Sequence, residues 1–130
     1  MKILGIGVDL IKNKRIKSLT RNKNFIERTF TKNEVNFAKK INNKTSYFAK
    51  RFAAKESLAK SLGTGLRNNL NFKDIEIMND KMGKPYFSKS KKIDSIVNKR
   101  FKVKKYNVFL SISDEKDYSV AFTIIQGNRW

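Results

Sequence analysis

Two carboxylates stand where a purely structural acid would be costly. Asp9 follows Gly5-Ile6-Gly7-Val8 at the end of an apolar run, and an unpaired carboxylate there is expensive to bury. It either belongs to a site, or it caps the next helix or faces solvent. Gly-x-Gly followed by an acid is not a dinucleotide fingerprint, because the third glycine and the helix opening are missing. The second acid is Glu56, within Tyr47-Phe48-Ala49-Lys50-Arg51-Phe52-Ala53-Ala54-Lys55-Glu56-Ser57-Leu58-Ala59-Lys60. At about 100° per residue, Phe48, Phe52, Ala54, Ala59 and Leu62 share one apolar arc. Lys55 falls near the middle of that arc, with Arg51 and Glu56 towards its sides. Glu56 and Lys60 are four apart and can meet on one face. The pattern fits a site roofed by this helix, or an interface. An ordinary surface ion pair, with Lys55 reaching outward along its aliphatic stem, is the plainer alternative.

The chain has no histidine and no cysteine. Disulfides, Cys/His zinc sites, thiol nucleophiles and any mechanism with a histidine base are therefore excluded. A metal must be held by oxygen ligands, which points to magnesium or manganese. Magnesium keeps several waters and takes one or two carboxylates plus substrate phosphates. Asp9 and Glu56 would suffice if the helix packs beside the strand end. Arg51, Lys55 and Lys60 could then neutralise phosphate charge, and phosphoryl transfer rests largely on positioning and charge stabilisation.

The elements that must position these groups can be read along the chain. Residues 2–10 are rich in Ile, Leu and Val and form a buried strand. A short helical turn at Asn13–Leu19 and another short helix around Phe25–Arg28 follow. Thr31-Lys32-Asn33-Glu34 has the form of a capping box, opening a helix to about Lys40. The longest helix runs from Thr45 to Leu62, stopped by Gly63-Thr64-Gly65. Phe72–Met78 is expected as a strand, 79–83 as a turn and Lys84–Phe87 as an edge segment, where Pro85 is tolerated. Lys89–Phe101 is a basic amphipathic helix with Ile93, Ile96 and Val97 on its apolar side. Strands over 106–113 and 117–125 form a hairpin. The order gives one α+β domain, residues 1–126, with helices on a mainly antiparallel sheet and a short tail, 127–130.

Composition agrees: 130 residues suit one domain, and 39% hydrophobic residues with ten Phe supply a core. No apolar stretch is long enough to span a bilayer and no secretory signal is present, so a cytoplasmic location is expected. Thirty basic against 11 acidic residues give a net charge of +19. Biased residue usage and an anionic partner both account for that, and they are compatible.

At this point a family pattern is legible. Gly5-Ile6-Gly7-Val8-Asp9, Arg15-Ile16 and Phe30-Thr31-x-x-Glu34 resemble the opening of bacterial holo-acyl-carrier-protein synthases. Arg51-Phe52-Ala53-Ala54-Lys55-Glu56-Ser57-x-x-Lys60-Ser61-Leu62-Gly63-Thr64-Gly65 is similar to the family's central signature. Asp74-Ile75-Glu76-Ile77, Gly83-Lys84-Pro85, and Ser111-Ile112-Ser113 with Asp117-Tyr118 complete the match in family order. The resemblance implies transfer of the 4′-phosphopantetheine arm of coenzyme A, as co-substrate, to a serine of apo acyl carrier protein in fatty acid biosynthesis. It implies a homotrimer with sites between neighbours, and Mg²⁺ (or Mn²⁺) held by Asp9 and Glu56. Lys60 would contact the phosphates and assist departure of adenosine 3′,5′-bisphosphate. Arg51, Lys55, the Gly83-Lys84-Pro85 turn and Ser113 would help hold the nucleotide. The acidic carrier protein would dock around Arg15 and Arg28, and Glu56 or a metal-bound water would take the serine proton.

One position departs from the pattern: Asp114 stands where the family commonly has histidine, bringing negative charge beside the expected nucleotide phosphates. A basic RNA- or DNA-binding domain is the alternative function. It explains the charge, but not Asp9 and Glu56 at apolar sites, and no RNA-recognition motif is present. A catalytically idle relative that only binds the carrier protein is a third reading, against which the complete acid pair argues.

Overall fold

A computed structural model of the chain describes residues 1–66 and 70–128. It is an α+β domain built on a three-stranded antiparallel sheet of β1 (Lys2–Lys12), β5 (Tyr118–Gly127) and β4 (Tyr106–Asp114), in that order. Helices α1 (Asn13–Leu19), α2 (Lys23–Thr29) and α3 (Lys32–Ala38) lead into α4 (Lys44–Ser61), which lies across the sheet. A two-stranded ribbon, β2 (Ile77–Asn79) and β3 (Pro85–Phe87), and helix α5 (Lys91–Phe101) complete the fold.

The expected capping box is formed: Thr31 Oγ1 accepts from the Glu34 amide and a Glu34 carboxylate oxygen accepts from the Thr31 amide. Asn43 Oδ1 caps α4 by accepting from the Ser46 amide at 3.0 Å. At the other end Gly63 turns at φ +78° and Gly65 N–H donates to the Ala59 carbonyl, so the predicted glycine stop ends the helix. Strand β5 continues through Gly127, one residue into the expected tail, whose last two residues fall outside those described.

Two expectations need correcting. Phe72–Met78 is not one strand: Phe72–Asp74 makes a 3₁₀ turn and only Ile77–Asn79 pairs. Asp74 accepts from the Asn71 amide at 2.7 Å and is held by Lys92 at 2.8 Å, a local alternative to a ladder bond. The first strand is buried on one face only. Gly7 and Ile11 point inward, while Ile6, Val8 and Leu10 stay exposed on the open face with Phe109 and Phe122.

The core lies between the inner sheet face and α4. Ala49, Ala53, Ala54, Leu58 and Ala59 of α4 and Ala121 and Ile125 of β5 are fully buried. Small side chains here let helix and sheet approach closely, and Ser57 Oγ bonds Thr123 Oγ1 across the interface at 2.6 Å.

Candidate active site

The site begins with two glycines. Gly5, Gly7 and Asp9 alternate onto the face of β1 that meets α4. A Cβ added at Gly5 would lie 1.9 Å from the Ser61 carbonyl oxygen, and one at Gly7 would lie 2.0 Å from that of Ser57. Any larger residue would push the helix off the strand. The Gly-x-Gly spacing therefore exists for backbone contact, and it sets Glu56 and Lys60 beside Asp9, two residues further along β1.

Lys60 Nζ donates to Asp9 Oδ1 at 3.1 Å and to the Val8 carbonyl at 3.0 Å. Glu56 is half-buried, and burial, followed by the nearby charge of Asp9, raises its pKa above the ordinary carboxylate value. Lys60 and then Arg15 of α1 pull it back down. Asp9, Glu56, Lys60 and Arg15 thus form one electrostatic group. Asp9 does not cap α1, whose N-cap is Lys12, and Lys60 pairs with Asp9 across elements rather than with Glu56 along the helix.

The other expected phosphate ligands are elsewhere. Lys55 is fully buried: its Nζ is 2.7 Å from Glu34 Oε1, 2.8 Å from the Thr29 carbonyl and 3.0 Å from that of Phe72. All three ammonium donors are used, so within this chain Lys55 neither reaches outward nor has a proton left for a nucleotide. Arg51 is also inside, 5% exposed, with its guanidinium 4.2 Å from the Tyr47 ring centroid. Its Nη2 donates to Asn79 Oδ1 at 2.6 Å, and Asn79 Nδ2 donates to the Gly83 carbonyl at 3.0 Å. Arg51 therefore touches the Gly83-Lys84-Pro85 turn through Asn79. Asp80 Oδ1 closes that turn by accepting from the Met82 and Lys84 amides, with Gly83 at φ +85°.

Ser113 and Asp114 end β4, where Asp114 Oδ2 accepts from Ser46 Oγ at 2.7 Å in the first turn of α4. Ser46 and Lys60 are fourteen residues apart on one helix, about 21 Å at 1.5 Å per residue. One chain thus gathers Asp9, Glu56, Lys60 and Arg15, while Asp114 is bound to Ser46 at the other end of α4 and the Gly83 turn is held by Asn79 and Arg51. Arg28, on α2, sits 5.9 Å from the Phe25 ring centroid and lines a separate hollow with Phe72 and Asp74.

Ser46 and Asn79 are the participants that the sequence did not single out. Glu34 was legible as the third residue of a capping box, but nothing local says that its carboxylate turns inward to Lys55.

Residues 5–123 match the family model of the 4′-phosphopantetheinyl transferase superfamily. The chain belongs to that superfamily. The holo-[acyl-carrier-protein] synthase of Pelagibacter ubique is 60% identical over 126 residues, covering 97% of this chain and 98% of the relative. Among solved structures, a holo-(acyl-carrier-protein) synthase from Bacillus anthracis in complex with CoA (3′,5′-ADP) is 37% identical with a TM-score of 0.81, covering 97% of this chain and 98% of that one. The enzyme from Neisseria meningitidis is 35% identical with a TM-score of 0.85, covering 96% and 99%.

Proposed function

We propose that the protein is a holo-acyl-carrier-protein synthase. It moves 4′-phosphopantetheine from coenzyme A to a serine of apo acyl carrier protein and releases adenosine 3′,5′-bisphosphate. The observation that carries this reading is the Asp9–Glu56–Lys60 group, held together by the Gly5 and Gly7 backbone contacts.

The donor set suits magnesium. Among the described residues no group of three or more acids could hold a metal. Two facing carboxylates are nonetheless what this ion takes from a protein when water and substrate phosphates fill the other positions. Burial, and then Asp9, disfavours the Glu56 anion, a cost that a cation beside the two carboxylates would offset. Asp9 and Glu56 would hold Mg²⁺ or Mn²⁺, which when bound neutralises and aligns the pyrophosphate oxygens.

The serine hydroxyl attacks the phosphorus that carries the pantetheine arm, and the anhydride P–O bond to the nucleotide breaks. Glu56 accepts the hydroxyl proton as general base. Lys60 offers its ammonium to the phosphate oxygens as charge builds on the departing nucleotide. The Gly83-Lys84-Pro85 turn, Ser113 and Asp114 contact the nucleotide, and Arg51 positions the turn through Asn79. Arg15 and Arg28, in a strongly basic chain, attract the acidic carrier protein and raise the encounter rate.

The separation of Asp114 from Lys60 supports a site shared between subunits. So does the exposed apolar row of Ile6, Val8, Leu10, Phe109 and Phe122, a face suited to self-association. We therefore propose a homotrimer. No helix among the described residues could cross a membrane, in keeping with a role in the cytoplasm, in fatty acid biosynthesis.

The test is intact-mass analysis of an apo acyl carrier protein incubated with enzyme, coenzyme A and Mg²⁺. A gain of one phosphopantetheine, abolished by EDTA, is expected. No gain from folded protein with several acidic carrier proteins would overturn the reading.

A further inference from the structure

Asp9 has two suitors. Lys60 Nζ already bonds one of its carboxylate oxygens and the adjoining Val8 carbonyl. On the reading proposed above, a divalent ion needs the same carboxylate. We propose that Lys60 is a built-in competitor of that ion. Ammonium and metal alternate on Asp9, and arrival of the metal releases Lys60 to meet the phosphates.

The fold decides which partner can move. Gly5 and Gly7 clamp α4 to β1, where an added Cβ would fall 2.7 Å from the Ser61 amide nitrogen as well as against the Ser57 carbonyl. Retreat of the helix would expose the small-residue contact of Ala53, Ala54 and Ala59 that holds it on the sheet, so the change occurs in side chains. The Asp9 side chain is only 15% exposed, whereas that of Lys60 is 52% exposed. The lysine can swing into solvent on four rotatable bonds; the aspartate is confined. Lys60 also differs from Lys55, whose ammonium is enclosed by a carboxylate and two carbonyls and has no open direction to leave by. A monocation and a dication on one carboxylate repel each other, so occupancy by one weakens the other.

The device has a use. Before the ion binds, Asp9 and Glu56 are two carboxylates near one another on a half-covered site, and Lys60 supplies partial compensation. Release of Lys60 then couples metal binding to the readiness of the phosphate-binding group.

The experiment is Mn²⁺ binding to the full-length protein without coenzyme A, measured from the electron paramagnetic resonance of free Mn²⁺. A half-exposed ion pair shifts an equilibrium by a factor of about two to five, and relief of like-charge repulsion adds to it. Lys60→Met is therefore expected to bind Mn²⁺ about three- to tenfold more tightly than wild type. Lys60→Arg keeps the competing charge and should stay near wild type, while Asp9→Asn should lose binding. Equal or weaker binding by Lys60→Met, with Asp9→Asn still defective, overturns the competition. Phosphopantetheine transfer by the wild type would then leave the proposed function standing. A wild type that neither binds Mn²⁺ nor transfers phosphopantetheine overturns both.

Discussion

Two lysines five residues apart on α4 meet their carboxylates under opposite conditions. Lys55 and Glu34 are both fully buried at 2.7 Å, and every charged atom has further partners: two carbonyls for the lysine, and the Thr31 and Ile77 amides for the glutamate. Burial lowers the pKa of Lys55 and Glu34 draws it back up. Lys60 and Asp9 meet at 3.1 Å at the edge of the helix, half in water, with Glu56 close by and, among the described residues, without a hydrogen-bonded ion-pair partner of its own. The first pair is closed and ties α3, α4 and β2 together. The second is left open to water, with the lysine free to leave. A closed pair specifies structure; an open one keeps free energy available for a ligand.

The largest effect should come from breaking the closed pair. Removing one partner of a buried ion pair costs about 3–5 kcal/mol, a large share of the roughly 5–15 kcal/mol that holds a domain folded. Glu34→Ala should lower the urea midpoint accordingly, and Glu34→Met with Lys55→Met should recover much of the loss because no charge is stranded. A cost for Glu34→Ala of the size typical of surface pairs would mean that water reaches Lys55 and the contrast between the two lysines is false.

The open cluster should respond in the opposite sense. Glu56→Gln removes a group that burial and Asp9 disfavour as an anion, so the folded protein should melt at the same or a higher temperature. Transfer should fall by about 10²–10³-fold, the usual cost of losing one preorganised electrostatic group. The pH dependence sharpens this. Glu56 binds its proton more tightly folded than unfolded, so its contribution to stability is present at low pH. It is lost as pH rises from the ordinary value of 4.5 through its raised folded pKa. That segment of the stability profile should disappear in Glu56→Gln.

The same contrast shows what could be read before any coordinates. Signals that act within a few residues were legible: the Thr31–Glu34 capping box, the Gly63 stop and the β4–β5 hairpin. Asp9 and Glu56 were legible because each broke an apolar pattern. Lys55 broke it in the same way, yet it has a structural partner. Its fate depended on Glu34, on the Phe72 carbonyl and on the Thr29 carbonyl, which lie 17 to 26 residues away. Periodicity reports which face of a helix a residue occupies, not what long-range group fills that face. The Phe72–Met78 segment failed for a related reason: its alternation favoured a strand, but Asp74 found its own backbone partner and Lys92 first.

The smallest effect is expected at Asp114, and it tests whether the open character extends to the far end of α4. Its carboxylate accepts from Ser46 Oγ in the first turn of that helix, where negative charge is favoured by about 0.3–1 kcal/mol. Asp114→His should therefore cost stability on the order of 0.5 kcal/mol. The same exchange removes an anion from the proposed nucleotide face, so KM for coenzyme A should fall or stay unchanged. Ser46→Ala separates the two contributions, since it removes the hydrogen bond and leaves the charge. If Asp114→His instead raises KM strongly and Ser46→Ala does the same, the Ser46–Asp114 bond is what shapes the nucleotide face. That end of α4 would then belong with the closed pair rather than the open one.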